Sequence, residues 1–336
     1  MKVAILSPVT WRTPPRNYGP WEQVASVLTE ALFKKGIDTT LFATGDSKTA
    51  GKLQYVCDRP LGEIPGDAKV AECLHISHLM EQADQFDIIH NHFDFLPLTW
   101  SRVIKTPMIT TIHGFSSPLI VPVYKKYNAT TNYVAISDAD RHPALHYLGT
   151  VYNGLDVQQF GLGAGKGGYL LYFGRIHPHK GTQEAIAIAN AAGLPLVICG
   201  LIQDQQYFDE KVAPFINNDS VQYLGNVGPE RRNEILGSAL ALLHPISFDE
   251  PFGLSVAEAM LCGTPVVAFN RGAMKELIVE GESGFLVNTV AEAVESLTKV
   301  RSIGRGNCRR YAAEKFSSQL MADQYIALYK KIIKSY

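Results

Sequence analysis

Glu250 and Glu258 lie eight residues apart in FDEPFGLSVAEAMLCGTPVVAF, residues 248–269. Pro251 stiffens the turn after Glu250, and Gly253 lets backbone approach a ligand closely. The amides of Phe252, Gly253, Leu254 and Ser255 can then point outward where a helix begins, which makes an anion site. The two carboxylates cannot themselves hold an anion, but they can accept hydrogen bonds from hydroxyl groups on either side of one. A sugar nucleotide has that layout: hexose, diphosphate, ribose. The diphosphate also needs positive charge, and FGRIHPHKG, residues 173–181, supplies Arg175 and Lys180 just after a strand. Either cation alone reads as an ordinary surface residue; with the glutamates they form a set.

Glu258 has a second reading. Ser255-Val-Ala-Glu258 spells a capping box, in which serine and glutamate satisfy each other's backbone N–H groups. Thr289-Val-Ala-Glu292 repeats the pattern with nothing around it that suggests chemistry. Spacing within the helix serves ligand and cap alike, and only the EPFG loop upstream separates the two segments.

Other patterns carry less. Gly163-Ala-Gly165-Lys-Gly-Gly168 matches GxGxxG, but it follows a linker and precedes a strand, whereas a dinucleotide fingerprint follows a strand and opens a helix. Asp138-Ala-Asp140 spells DxD, yet it follows VAIS, where Ser137 or Asp138 would cap a helix. His142 and His146 are four apart, as zinc ligands on a helix can be, but Pro143 stands between them and no carboxylate is near. No metal is expected. Asn128 and Asn218 begin glycosylation sequons, which have no meaning without a secretory signal.

The elements that must position these residues alternate. Short runs rich in Val, Ile and Leu (KVAILS, DTTLFA, DIIHNH, PMITTIHG, NYVAIS, TVYNG) alternate with helical patterns, the mark of parallel strands joined by crossover helices. The segment Trp21 to Lys35 carries an apolar stripe at Val24, Val27, Leu28, Ala31 and Leu32, closed by Gly36. GLGAGKGG then interrupts the pattern, which restarts with YLLYFG, the helix Gly181 to Ala192, PLVICG, VQYLG, ALLHPI and PVVAF. Two doubly wound α/β domains are expected, residues 1–155 and 156–317, facing a central cleft, with a last helix at about 318–336 packing back on the first.

The 336 residues suffice for two full cores. Lys and Arg total 31 against 32 for Asp and Glu, a net charge of -1 with no long block of one sign, so nucleic acid is not an expected partner. Five scattered cysteines, Cys57, Cys73, Cys199, Cys262 and Cys308, never form a CxxC pair, which points to a reducing cytoplasm. No stretch approaches membrane-spanning length, and the N-terminus lacks the apolar run of a signal peptide.

YFGRIHPHKG, FDEPFGLSVAEAMLCGTPVVAF, TIHGF, VYNGLDVQQF and PPRNYGPWEQVASVLTEALFKKGIDTTLFATGDS together resemble the family-four retaining glycosyltransferases of the GT-B fold, over nearly the whole chain. The E-x7-E spacing within EPFG, followed by GTPVVA, is the specific part. The resemblance implies that Glu250 contacts hydroxyls of the transferred sugar and Glu258 the ribose. It implies Arg175 and Lys180 on the diphosphate and His113 of TIHG at the donor sugar. Val227 falls where the family reads the base through backbone, with Gly200 close to it. It implies front-face attack, a donor phosphate oxygen taking the acceptor proton, and no protein nucleophile, metal or cofactor. The family's YGG before the first helix is Tyr18-Gly19-Pro20 here, and proline removes one backbone N–H from the contacts expected at Gly19.

The expected activity is transfer of a hexose from a UDP- or GDP-linked donor to a hydroxyl of a saccharide or other small acceptor. A sugar-nucleotide-binding protein without turnover and a GT-B sugar-nucleotide epimerase are the alternatives; release of nucleoside diphosphate only with acceptor, or conversion without one, tells them apart. Trp11, Arg12, Arg16 and Tyr18 crowd the loop after the first strand, where aromatic faces with arginines suit a sugar or another polyhydroxylated acceptor and packing of the loop is the alternative reading. Residues 51–90 hold three Lys/Arg (Lys52, Arg59, Lys69) against seven Asp/Glu, which favours a soluble acceptor over a lipid one.

Overall fold

The computed structural model describes residues 1–63 and 66–336, which divide into two compact units: Met1–Leu155 with Ser318–Tyr336, and Asp156–Ser317. In the first unit the chain runs β1 (Lys2–Leu6), α1 (Pro20–Lys34), β2 (Asp38–Phe42), β3 (Lys52–Gln54), α2 (Ala68–Met80), β4 (Ile88–Asn91), β5 (Met108–Ile112), α3 (Val121–Tyr127), β6 (Asn132–Ala135) and β7 (Tyr147–Thr150). The second continues with β8 (Leu170–Phe173), α4 (Thr182–Ala192), β9 (Leu196–Cys199), α5 (Gln205–Lys211), β10 (Val221–Tyr223), α6 (Pro229–Ser238) and β11 (Ala241–His244). It closes with α7 (Leu254–Leu261), β12 (Val266–Phe269), α8 (Met274–Leu277), β13 (Gly284–Val287), α9 (Val290–Val300) and α10 (Arg305–Lys315). Helix α11 (Ser318–Ser335) returns to the first unit.

Both sheets are wholly parallel, in the orders β3-β2-β1-β4-β5-β6-β7 and β10-β9-β8-β11-β12-β13. Central strands covered on both faces are mainly apolar, and LVIC of β9 and ALLH of β11, apolar up to its last residue His244, are buried along their whole length. The edge strands β3 and β7 are instead half-exposed. In each sheet the strand order reverses once, between β1 and β4 and between β8 and β11. Loops at the carboxyl ends of those strand pairs diverge and leave a crevice, the place where such sheets hold ligands.

Helix α1 buries its predicted stripe, ends at Lys34 and turns through Gly36. Pro20 occupies its first turn, where its missing N–H would have had no helical acceptor in any case. Helix α11 packs on α1 with Met321, Ala322, Tyr325, Tyr329 and Ile332 buried, and Lys35 meets Asp323 at 2.7 Å.

Two local expectations change. No helix follows β6: the Ser137 hydroxyl accepts from the Asp140 amide at 3.1 Å and closes a turn, because Pro143 disfavours helix at the residue before it. His142 and His146 therefore do not share a helix face. The last strand of the first sheet is Tyr147–Thr150, so of TVYNG only its first residue, Thr150, is in the strand.

Candidate active site

The reversal between β8 and β11 determines the second unit's site. These strands are hydrogen-bonded neighbours, with Leu243 opposite Tyr172, so the loop after β8 and the loop after β11 leave the sheet side by side. The first carries Arg175 and Lys180, the second Glu250. Lys180 Nζ donates to Glu250 Oε2 at 2.6 Å, and it also stands 4.6 Å from the centre of the Phe248 ring. Ser247 N donates to the His179 carbonyl at 3.0 Å and ties the loops together.

Burial alone would raise the Glu250 carboxyl. His244, whose Nε2 lies 3.6 Å away, and Lys180 outweigh it and bring the group down to about 2. Glu250 is a permanent anion held against a cation. Its backbone is set by the turn Arg271-Gly272-Ala273: Ala273 N donates to the Glu250 carbonyl at 2.9 Å. Gly272, at φ +53°, comes so near that a Cβ there would lie 2.4 Å from both N and O of Glu250.

Gly253, at φ +97°, is the N-cap of α7, so the helix starts two residues earlier than a capping box at Ser255 requires. Ser255 is inside the helix and Glu258 is turned away from the cap: its Oε1 accepts from Arg232 Nη1 of α6 at 2.8 Å. Burial raises the Glu258 carboxyl and Arg232 opposes the rise. The repeat at 289–292 does what Glu258 does not. Thr289 caps α9 by accepting from Glu292 N at 3.2 Å, and Glu292 accepts from the Asn288 amide at 2.8 Å. The leading N–H groups of α7, at Leu254 and Ser255, have no acceptor within the helix. Phe252 points inward, edge-on to Phe316 at 5.7 Å, and leaves the turn to its backbone.

Arg175, on the same loop, donates from Nη1 to Gln203. Gly200, at the end of β9, abuts this loop: a Cβ there would fall 1.7 Å from the Gly174 carbonyl. Val227 lies half-buried in the loop between β10 and α6, five residues before Arg232. His244, Arg232 and Gly272 were not foreseen; the signals for them are a histidine ending a buried strand and the RGA turn after β12.

Gly19 and His113 belong to the first unit, Gly19 in the loop after β1, where its strand order reverses, and His113 after β5, the strand beside β4. Gly19 precedes α1 in the loop after β1, where Trp11 N donates to Glu22 at 3.2 Å. Burial pushes the Glu22 carboxyl up to about 7, against the lowering effect of the backbone N–H groups of Glu22 and Trp11. His113 follows β5, with Trp21 stacked on its ring at 5.6 Å and His92 Nδ1 2.9 Å from its Nε2. Burial lowers His113 to about 3, so the ring is neutral. Asp138 meets Arg141 at 3.2 Å and accepts from Thr150. Among the described residues no group of three or more His, Cys, Asp or Glu is arranged to hold a metal ion.

Residues 157–315 match the family model "Glycosyl transferases group 1", and residues 22–159 the model "Glycosyltransferase Family 4". The chain is 30% identical over 184 residues to alpha-maltose-1-phosphate synthase of Mycolicibacterium smegmatis, over 48% of this chain and 47% of that one, so it spans about half of that relative. The solved structure of AviGT4, a glycosyltransferase involved in avilamycin A biosynthesis, superposes with a TM-score of 0.76 and 23% identity, covering 100% of this chain and 99% of that one. That of Anabaena HepE in complex with UDP-glucose gives a TM-score of 0.73 and 19% identity, covering 98% and 100%. With both halves matched by models that meet, overlapping at residues 157–159, close to the joint between the units, and with both sheets those of GT-B enzymes, this chain belongs to family four of the glycosyltransferases.

Proposed function

We propose that the enzyme transfers a hexose, with retention and without a metal ion, from a UDP- or GDP-linked donor to a hydroxyl of a saccharide or other small soluble acceptor. The observation that carries this reading is the Lys180–Glu250 pair beside the N-terminus of α7. An ammonium has three donors, so the bond to Glu250 leaves two for phosphate oxygens. Arg175 and the leading amides of α7 add donors that need no metal to neutralise a diphosphate. Charge grows on that diphosphate as the glycosidic bond breaks, and each such donor contributes about 3 kcal/mol to the transition state. Glu250, ionised at every working pH, is suited to orient sugar hydroxyls, and Glu258 with Arg232 to hold the ribose. The acceptor proton passes to a phosphate oxygen of the donor.

Relatives support the donor class: HepE was solved with UDP-glucose, and a relative in Komagataeibacter xylinus is named GDP-mannose:cellobiosyl-diphosphopolyprenol alpha-mannosyltransferase. No helix among the described residues is long and apolar enough to cross a membrane, and all five cysteines are free, which suits a cytoplasmic enzyme. The test is release of nucleoside diphosphate from a panel of UDP- and GDP-sugars with saccharide acceptors, with and without chelator, and the anomeric configuration of the product by proton NMR. Release that depends on acceptor, survives chelation and keeps the donor's anomer is expected. An inverted product, or a rate abolished by chelation and restored by magnesium, overturns it.

A further inference from the structure

Three histidines of the first unit stand in a row. His90, on β4, is anchored through Nδ1 to the Tyr329 hydroxyl at 2.6 Å and through Nε2 to the Thr111 hydroxyl at 2.7 Å; Thr111 also meets Tyr325 at 2.6 Å. The His92 ring lies over His90 with centroids 4.1 Å apart, and its Nδ1 is 2.9 Å from Nε2 of His113. Trp21 covers a face of His113. Helix α11 thus buttresses, through Tyr325 and Tyr329, a stack of rings that ends at His113.

The bond between His92 and His113 needs one proton, which either ring can supply. His92 Nε2 decides which. It is sealed from solvent and has no hydrogen-bond partner among the described residues. If His113 were the donor, the proton of neutral His92 would sit on that Nε2, giving an orphaned buried N–H, which folded proteins rarely tolerate. If His92 donates from Nδ1, the sealed atom is only a bare acceptor, the more tolerated of the two. Burial lowers His90 and His92 well below the usual imidazole range, so neither ring escapes the choice by taking a second proton. With His92 as donor, His113 accepts at Nε2 and must carry its own proton on Nδ1. That nitrogen has no partner among the described residues and, unlike His92 Nε2, is not closed to solvent.

We infer that His92 is a positioning residue that holds His113 as its Nδ1–H tautomer, so that His113 presents a hydrogen-bond donor, and not an acceptor, to a sugar oxygen of the donor substrate. The tautomer follows from the first unit alone; the sugar as recipient rests on the proposed glycosyl transfer.

The two parts are tested separately. Long-range proton–nitrogen NMR of the ligand-free, nitrogen-15-labelled protein at neutral pH should show His92 and His113 each with a protonated Nδ1 and a bare Nε2. A protonated Nε2 on either ring overturns the inference, whatever reaction the enzyme catalyses. In turnover with UDP-glucose or the best donor of the panel, His92→Leu should lower kcat/KM about tenfold, the worth of one hydrogen bond, with unchanged affinity for bare UDP. His92→Asn, whose amide nitrogen replaces Nδ1 as donor, should stay within about threefold of wild type. Equal loss in both variants, or none in His92→Leu, removes the role in sugar binding and leaves the tautomer to stand or fall by the NMR result.

Discussion

Lys180 Nζ lies 2.6 Å from Glu250 Oε2, and the two side chains keep only 14% and 13% of their surface exposed. The cation expected to meet the diphosphate and the carboxylate expected to meet the hexose are therefore one ion pair before any substrate arrives. Removing one partner leaves the other as a largely buried, uncompensated charge. Lys180→Met should cost about 3 kcal/mol of stability. The double variant with Glu250→Gln should recover most of that loss while turnover stays abolished, because stability needs only the charges matched and transfer needs both groups. Urea melts and initial rates of the two single variants and the double variant check this. Because Glu250 is depressed, from 4.5 to about 2, its stabilisation is complete above pH 4.5 and is lost as pH falls towards 2.

Glu258 and Glu292 occupy the same tetrapeptide pattern with different partners. Glu258→Gln exchanges a charge-assisted bond to Arg232 for a neutral one and should cost about 2 kcal/mol in melting experiments. It should also weaken nucleoside diphosphate binding about tenfold by calorimetry. Glu292→Gln keeps an acceptor for the Asn288 amide and should leave both measurements unchanged. Lost stability with unchanged nucleoside diphosphate binding in Glu258→Gln would return Glu258 to a purely structural role.

Glu22 gives stability a second dependence on pH, of opposite sign. Its folded-state value, about 7, lies above the unfolded 4.5, so the folded protein binds the proton more tightly. The associated stabilisation is complete below pH 4.5 and is lost as pH rises to 7, a change of about 3 kcal/mol. Glu22→Gln, which keeps an acceptor for Trp11 N, should flatten the melting temperature between pH 5 and 8 and make the variant the more stable protein at pH 8. Differential scanning calorimetry across that range reads it directly.

Gly272→Ala places a methyl group 2.4 Å from the Glu250 backbone at a positive φ. The turn must move, and Glu250 with it. Turnover should fall by at least tenfold, since misplacing a positioning group by about 1 Å is enough for such a loss. Affinity for bare nucleoside diphosphate should hold within a few-fold, because the amides at the start of α7 and Arg175 are not on that turn. An equal loss in both would mean that the substitution damages the whole unit.

Much of the architecture was written locally. Continuous Val, Ile and Leu runs mark strands buried on both faces, the Val24 to Leu32 stripe marks α1, and Gly36 ends it, since each depends on residues within a few positions of one another. The same locality made EPFG and GRIHPHKG readable as a ligand site, and it misled after β6, where the VAIS–DAD segment had the letters of a helix start but too little chain before Pro143 to build one. Tertiary structure decided what the letters left open. Lys180 meets Glu250 across 70 residues because β8 and β11 are neighbours in the sheet though not in the chain. Glu258 is not a cap because Gly253 starts α7 early and turns that side chain to Arg232, which stands on another helix. His92 reaches His113 because β4 and β5 are adjacent, and α11, from the far end of the chain, braces the stack behind them. Strand order is set by which apolar faces pack best over the whole domain, a sum over distant residues that no window of sequence contains.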